Sequence, residues 1–535
     1  MSDIEPDSVS SSPFLPLANP VFRTLWAVWL AANLCLWMND VAAAWLMTAL
    51  SGTPLMVALV QSASTLPVFL LGVPSGALAD IVDRRRYLMF TQFWVASVAF
   101  LTCLAMVSGM MSPGVLLALT FANGLGLAMR WPVFAAVIAE LVPREQLPVA
   151  TALSGMAMNT SRILGPLLAG MLIATLGPVA VFVLNAAVSV LAGLAIFRWR
   201  RPRVVPALPS ERFFGAIRVG LQHVRASTRM RAVLRRAFVF SFSSIALLAM
   251  LPLLAKQQYG GGAQSYTLLM AAMGGGAICG ALLLPRIRRH LGRDRMVDLG
   301  CLLHVGAVVG AALAPDLLLA LPALFAGGMG WIAVANSFNV SAHFALPDWV
   351  RARGIAFYQM AMMGGNALGA ACWGQVVGSV GLRHGLLAAA CATLIGWLLT
   401  RRLSIVGDPE QGPLMPPVWK APEAAIPIDF QRGPVQVTVE YRIDPARADD
   451  FLRVMRESRR VWLQNGVLSW NLFRDVSDCG CFSEQFVDES WADYLRRHER
   501  ITATHMALKQ QKLSFHQDDA PPMVKRCIAE RIPRG

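Results

Sequence analysis

Between residues 22 and 403 the chain carries about a dozen apolar runs, most of them 20 residues or longer and nearly free of charge. At 1.5 Å per helical residue, such a run crosses a hydrocarbon layer of about 30 Å. A backbone in lipid must satisfy its own hydrogen bonds, and runs this long and continuous do so only as helices. Composition agrees, since 56% of the 535 residues are hydrophobic and 15% charged, unlike a soluble globular chain. The spans read as 22–50, 54–79, 87–109, 114–141, 149–176, 179–198, 233–256, 264–285, 296–315, 317–343, 354–378 and 383–403.

A net charge of +15 would suggest nucleic acid in a soluble chain. Here the arginines sit in alternate loops: Arg84 to Arg86, Arg144, eleven from Arg198 to Arg236, five from Arg286 to Arg295, then Arg351 and Arg353. The opposite loops offer Lys256 and Arg383. That bias is a topology signal that excludes a nucleic-acid partner and places the arginine side, with both termini, in the cytoplasm. Of nine cysteines, six (Cys35, Cys103, Cys279, Cys301, Cys372, Cys391) lie in apolar runs and read as small core residues. Residues 1–20, acidic and rich in Ser and Pro, read as a flexible cytosolic tail.

The chain repeats itself at an offset of 204, which superposes Gly165, Gly170 and Gly177 on Gly369, Gly374 and Gly381, and Phe121-Ala122 on Phe325-Ala326. The offset spans six helices, so the two halves run parallel about an axis normal to the membrane, as in carriers that rock around a central site. The expected architecture is an all-α polytopic membrane protein of 12 transmembrane helices in two six-helix bundles, 21–198 and 233–403. They are joined by a basic cytoplasmic linker, 199–232, with an amphipathic stretch that sets Phe213, Phe214, Ile217, Leu221 and Val224 against Arg212, Arg218 and Arg225. Two settings fit it: a helix on the cytoplasmic leaflet, or a solvated tether.

After residue 403 the composition changes. A Pro-rich linker, 404–434, precedes a soluble α+β domain, 435–535, whose strands and helices read β (435–443), α (444–465), β (467–476), β (481–487), α (490–511), β (523–530). That order is the split βαβ plan of ferredoxin-like sandwiches. Cys479-Gly-Cys481 reads as a hairpin turn.

The loop Gly76-Ala-Leu-Ala-Asp80-Ile-Val-Asp83-Arg84-Arg85-Arg86 resembles the loop signature of the major facilitator superfamily, departing from it at Ile81 and Asp83. The resemblance implies a latch in which Gly76 lets helices approach and Asp80 pairs with arginine or caps a helix, holding one side closed. In the fifth span Arg162-Ile-Leu-Gly165-Pro166-Leu-Leu-Ala-Gly170 resembles the Gly-Pro antiporter motif of that superfamily's exporters. With the soluble tail, these features are most similar to the enterobactin-exporter-type branch, also called transmembrane secretion effectors. The resemblance implies a proton-driven antiporter in a bacterial inner membrane, expelling a small amphipathic compound such as a siderophore or drug by rocker-switch alternating access.

Charges buried in spans are costly unless paired or facing water, which singles out Asp40, Arg130 and Arg162. Asp40 is a candidate proton carrier that exchanges Arg130 or Arg162 for H⁺; a permanent salt bridge is the alternative. Polar candidates for the cavity are Asn33, Asn39, Gln61, Asn123, Asn159, Asn336, Asn339 and Asn366, with Trp37, Trp45, Trp131 and Trp373 able to stack on an aromatic cargo and His304 and His343 able to titrate.

Enzyme signatures are thin: there is no P-loop, no His-Glu-x-x-His metal site and no catalytic set, so no cofactor or metal is expected and the proton gradient is the energy source. The C-terminal domain, with Glu489-Ser-Trp491, Trp462 and Trp470, resembles antibiotic-biosynthesis monooxygenase-like dimeric barrels. Such folds often act without a cofactor, but with no catalytic set here beyond scattered His498, His505 and His516 the expected role is regulatory or dimerising, through a homodimer; a membrane-tethered, cofactor-free oxygenase whose helical part only delivers an apolar substrate to this domain is the alternative, and an importer or uniporter is a third reading.

Overall fold

The computed structural model describes residues 15–143, 146–199, 213–288, 290–406, 428–499 and 503–530. Most of the N-terminal tail and of the Pro-rich linker, and the first part of the basic linker, lie outside these residues. A short 3-10 turn (Leu15–Ala18) leads into α1 (Pro20–Leu50), α2 (Pro54–Ile81), α3 (Arg84–Val107), α4 (Pro113–Leu141), α5 (Leu147–Leu176) and α6 (Pro178–Arg198). Then follow α7 (Phe213–Ala226), α8 (Thr228–Leu253), α9 (Ala263–Ile287), α10 (Arg293–Leu313), α11 (Leu317–Phe344), α12 (Asp348–Val380) and α13 (Leu382–Thr400). Eleven helices among the described residues are long and apolar enough to cross a membrane. α12 is not among them, being rich in Gly and interrupted by Arg351, Arg353, Gln359, Asn366 and Gln375.

The helix boundaries follow from local chemistry. Asn19 Oδ1 accepts from Val21 N and Phe22 N at the start of α1, Asp83 Oδ1 from Arg86 N at α3, and Ser112 Oγ from Val115 N at α4. Proline sits in the first turn of α1, α2, α4, α5 and α6, where its missing N–H costs nothing. α5 and α12 both stop at a glycine with positive φ, Gly177 at +82° and Gly381 at +84°. These are equivalent positions of the repeat, and only glycine adopts that conformation without strain.

The chain divides into two compact units. The first comprises residues 1–202, 234–338 and 359–403, the bulk of the membrane-spanning helices of both halves of the repeat. Short connections make successive helices antiparallel, so one end of the bundle carries the arginine-rich loops and the other the arginine-poor ones. Within the N-terminal half α1 packs on α5 and α6, α2 on α4, and α3 on α6; in the C-terminal half α10 packs on α13.

The second unit contains residues 203–233, 339–358 and 404–535. Its sheet is antiparallel, with order β2-β3-β1-β4, built from β1 (Val435–Arg442), β2 (Ser469–Arg474), β3 (Cys481–Asp488) and β4 (Met523–Ile528). The helices of this domain are α14 (Ala448–Gln464), α15 (Trp491–Glu499) and α16 (Ala503–Leu513). Alternation along β3 buries Phe482, Glu484, Phe486 and Asp488 and leaves Ser483, Gln485 and Val487 on the other face. Cys481 N donates to Asp478 O at 3.1 Å and Gly480 N to Asp478 Oδ1 at 2.9 Å, which closes the turn before β3.

α7 packs against the soluble domain rather than standing as a solvated tether. Val219 and Val224 are buried within this unit, and the helix packs on α14. Gln222 Nε2 reaches Val467 O at 3.5 Å, His223 Nδ1 meets Gln464 O at 3.3 Å, and Arg218 pairs with Glu489 at 2.7 Å. An amphipathic face needs an apolar surface, and α14 supplies one as well as a leaflet does.

Candidate functional site

The three ionisable residues expected inside spans stand at different levels of the first unit. Asp40 on α1 accepts a hydrogen bond from Ser64 Oγ of α2 at 2.8 Å. Arg130 on α4 holds its guanidinium 5.4 Å from the centroid of Trp29, which also stacks in parallel on Phe134 at 3.9 Å. Arg162 on α5 lies between Trp37 of α1 and Trp331 of α11, 5.4 and 4.8 Å from their centroids. Trp29 and Asp40 are eleven residues apart on one helix, about 16 Å along its axis. Among the described residues no ion pair joins Asp40 to either arginine, so the expected exchange of partners is not the arrangement of this conformation. The sequence places a charge along its own helix but not the rotation of the neighbours that face it.

In the loop between α2 and α3 the side chain of Asp80 lies outside what can be described, while Gly76 is half-buried in α2. Asp83, the departure from the family pattern, caps α3 through Arg86 N at 2.9 Å. Arg84 pairs with Glu140 at the end of α4. Arg85 donates to the carbonyls of Ile196 and Phe197 at the end of α6, satisfying groups that a helix terminus leaves without partners. Two of the three arginines thus tie α3 to its neighbours in the same half, and Arg86 is exposed.

The Gly-Pro motif is explained by close helix approach. A Cβ built on Gly165 would lie 2.5 Å from Trp37 Cβ of α1, and one on its repeat partner Gly369 would overlap Phe242 O of α8. Each glycine therefore presses the fifth helix of its half onto the first. Gly170 and Gly374 act between the halves: a Cβ there would lie 2.7 Å from Thr267 Cβ of α9 and 2.6 Å from Ala58 Cβ of α2, respectively. Pro166, buried beside Gly165, has no counterpart in α12, so the proline is not what permits the close approach.

These contacts seal the arginine-poor end. One continuous buried cluster there joins Met47, Ala58 and Ala169 of the first half to Met250, Tyr266 and Trp373 of the second. Trp45 stacks on Tyr266 at 5.6 Å, and Lys256 Nζ donates to Thr48 O at 2.7 Å. Towards the arginine-rich end the described buried residues include one cluster around Trp29, Tyr87 and Phe134 in the first half and one around Leu284 and Met296 in the second, while Leu36 and Val68 still pack with Met363 across the halves.

The amide candidates divide. Asn39 accepts from Asn185 Nδ2 at 3.3 Å, and Ser189 extends that polar seam along α6, which the sequence reading missed. Asn33 donates to Trp29 O at 2.7 Å, and its Oδ1 has no partner. Asn123 and Asn336 also hold an unpartnered buried Oδ1, Gln61 and Asn366 are half-buried, and Asn159 is exposed. Asn339 belongs to the second unit. Trp131 is half-buried, and Trp373 Nε1 bonds Phe242 O at 2.9 Å. His304 is buried edge-on against Phe240, whereas His343 is exposed. Also missed is Arg236, buried on α8 and paired with Asp294 at 2.6 Å and Asp298 at 3.5 Å on α10; the two acids, four residues apart on one helix face, were the available signal.

In the soluble domain a buried carboxylate, Glu484, collects its donors from four elements. Its Oε1 accepts from Ser458 Oγ at 2.7 Å and from Trp462 and Trp470 Nε1 at 2.9 Å each; Oε2 accepts from Lys512 Nζ at 3.0 Å and Tyr441 OH at 3.1 Å. Burial by itself would raise this carboxyl, but Lys512 and the hydrogen bonds outweigh it and hold the group below its usual range. The same surroundings push the Tyr441 phenol up. Alternation between Phe482 and Phe486 already placed Glu484 on the buried face, though not its partners. The side chains of His498 and His505 lie outside the described residues; His516 bonds Arg442 N and Ala520 O at 3.0 Å each.

Comparison with known proteins gives the same reading as the helices. A family model described as transmembrane secretion effector, of the major facilitator superfamily, matches residues 11–533. The chain is 21% identical over 276 residues to the staphyloferrin A transporter of Staphylococcus aureus, covering 51% of this chain and 69% of that one. It is 29% identical over 188 residues to an uncharacterized MFS-type transporter of Bacillus subtilis, covering 34% and 44%. Among solved structures it resembles a bacterial homolog of the lysosomal transporter Spinster in an inward-facing conformation, with a TM-score of 0.56, 16% identity and 72% and 97% of the two chains covered. The nucleoside transporter NupG gives a TM-score of 0.59 at 11% identity, with 72% and 99% covered. At these identities the structures speak for the fold alone, while the family match spans nearly the whole chain. The chain belongs to the transmembrane secretion effector family of major facilitator superfamily transporters, and is a multi-pass membrane protein.

Proposed function

We propose that the chain is a proton-coupled exporter of a small amphipathic compound, working by rocker-switch alternating access in a bacterial inner membrane with both termini in the cytoplasm. The observation that carries this reading is the seal at the arginine-poor end, made by two glycine contacts at equivalent positions of the repeat, Gly170 on Thr267 and Gly374 on Ala58. With the arginine-rich end in the cytoplasm, such a seal corresponds to an inward-facing state, and its pseudo-symmetry is what a rocking motion of two halves requires. On this reading α12 is the twelfth span, its many small and polar residues facing protein rather than lipid.

Asp40 carries the coupling proton. Its carboxyl sits on the sealed side with Ser64 as its hydrogen-bond partner, so a proton taken up when that side opens is carried across when it closes. Gly76, Asp80 and Arg84 to Arg86 form the latch of the opposite end. The relative named for staphyloferrin A supports a siderophore-type cargo. The C-terminal domain, of ferredoxin-like plan, regulates or dimerises; its helices cover one face of the sheet, leaving Phe473 and Met523 exposed for a second copy. The test is cargo-triggered collapse of a proton gradient in inside-out vesicles, using a panel of siderophores and drugs, with wild type beside Asp40→Asn. A cargo that dissipates the gradient with wild type and not with the variant is expected; gradients indifferent to every cargo, with folded protein present, refute proton antiport.

A further inference from the structure

A guanidinium buried in a membrane-spanning bundle without an anion is retained against a considerable desolvation penalty, and Arg130 is such a group. It is 4% exposed, and its Nε and Nη2 have no hydrogen-bond partner. Among the described residues its near electrostatic partners are the ring of Trp29 at 5.4 Å, which offsets part of the cost but accepts no N–H bond, and the Cys35 thiol. The neighbouring polar atoms are unpartnered as well: Trp29 Nε1, Trp131 Nε1 and Asn33 Oδ1. Trp29 and Trp131 belong to one packed cluster, and Asn33 is one turn from Trp29 on α1. Four of these five unpaired atoms are donors, so the missing partner is rich in acceptors and negative. They stand on the arginine-rich side of the Arg162 level, where Trp131 also packs with Leu36, Val68 and, across the halves, Met363.

We propose that Arg130, flanked by Trp29, Trp131 and Asn33, binds an oxyanion of the cargo, an organic carboxylate held by the guanidinium and the indole N–H groups. This rests on the transporter reading above and adds the chemical class of its substrate. Bidentate geometry selects arginine over lysine for such a group, and water exclusion strengthens the pairing.

Thermal stability of the purified full-length protein in a neutral, lipid-free detergent tests the site without a gradient. Benzoate, citrate and inorganic phosphate are the probes, with benzamide as neutral control. A carboxylate is expected to raise the melting temperature of wild type by roughly 2 °C or more at millimolar concentration. Benzamide should not. Arg130→Met is expected to lose that response and, relieved of an uncompensated charge, to melt higher than wild type without ligand. Arg130→Lys should keep a weakened response. A Met variant that melts lower than wild type in the absence of ligand assigns Arg130 to structure and overturns the proposal, as does a wild type that no carboxylate protects. Protection by phosphatidylglycerol micelles alone reassigns the oxyanion to a lipid headgroup and also overturns it. If cargo collapses the gradient equally in wild type and Arg130→Met, the site fails and the exporter reading stands. If carboxylates protect wild type but no cargo moves protons, the reverse holds.

Discussion

Alanine at position 170 is the sharpest probe of the seal between the two halves. In a helix interior Gly→Ala normally gains about 1 kcal/mol, since alanine loses less backbone entropy on folding. Gly155, on the exposed face of the same helix with nothing within 4 Å of a built Cβ, should show that gain. At Gly170 the new methyl would meet the Thr267 side chain, with Cγ2 at 2.5 Å and Cβ at 2.7 Å, closer than van der Waals contact allows. Thr267 cannot simply rotate away, because its hydroxyl is bonded to Ala263 O at 2.7 Å. Overpacking of this kind costs about 1–3 kcal/mol, and overlap this deep belongs at the upper end. Subtracting the propensity gain leaves roughly 2 kcal/mol against the sealed state, a shift of about 30-fold in the ratio of closed to open. Hydrogen exchange of residues 170–176 and 263–270 reads it directly: faster for Gly170→Ala, unchanged or slower for Gly155→Ala. In a Thr267→Gly background the Gly170→Ala penalty should vanish, giving a coupling energy of about 2–3 kcal/mol in the double-mutant cycle. A Gly170→Ala variant as benign as Gly155→Ala, or a penalty undiminished by Thr267→Gly, would refute the reasoning.

Docking of α7 should depend on pH. Burial pushes His223 from 6.5 down to about 4, partly opposed by its bond to Gln464 O. The folded value lies below the unfolded one, so stability is fully present above pH 6.5 and lost as pH falls from there towards 4, by roughly 3 kcal/mol in all. Hydrogen exchange of residues 213–226, corrected for intrinsic rates, should show protection falling across that window and staying flat in His223→Leu; a flat wild-type profile counts against it. In the soluble domain, Lys512→Met strands Glu484 as a buried charge and should cost about 3–5 kcal/mol, whereas the double replacement with Glu484→Gln, whose amide oxygen still accepts from Ser458 and the tryptophans, should recover much of it. Proteolytic susceptibility of the full chain measures both, and equal damage in the single and double variants would show that the pair is not coupled.

Much of the architecture was legible because it is written in one-dimensional quantities. Span length follows from bilayer thickness, helix ends from proline, cap residues and glycine, and the doubling of the fold from a constant offset. The positive φ of Gly177 and Gly381, 204 residues apart, is the repeat expressed in backbone conformation. The strands of the C-terminal domain were legible from alternation and turns, since strand period and loop chemistry are local, whereas its second helix, read as one over 490–511, is two among the described residues, α15 and α16. The same reasoning located Asp40, Arg130 and Arg162 inside spans and Glu484 on an inward strand face.

What faces those residues was decided only by tertiary structure. A position along a helix fixes depth but not rotation, so the sequence could not tell that Asp40 meets Ser64, that Arg162 lies between two indoles from different halves, or that Arg130 has a ring for a neighbour. An apolar stripe such as that of α7 specifies burial without naming the surface, and protein and lipid satisfy it alike. Which end of the bundle is sealed depends on pairs such as Gly170 with Thr267 and Gly374 with Ala58, residues 97 and 316 positions apart whose contact no local pattern encodes. The sequence determined which surfaces must be buried and at what depth; packing alone chose their partners, because hydrophobic burial is non-directional while steric fit is specific.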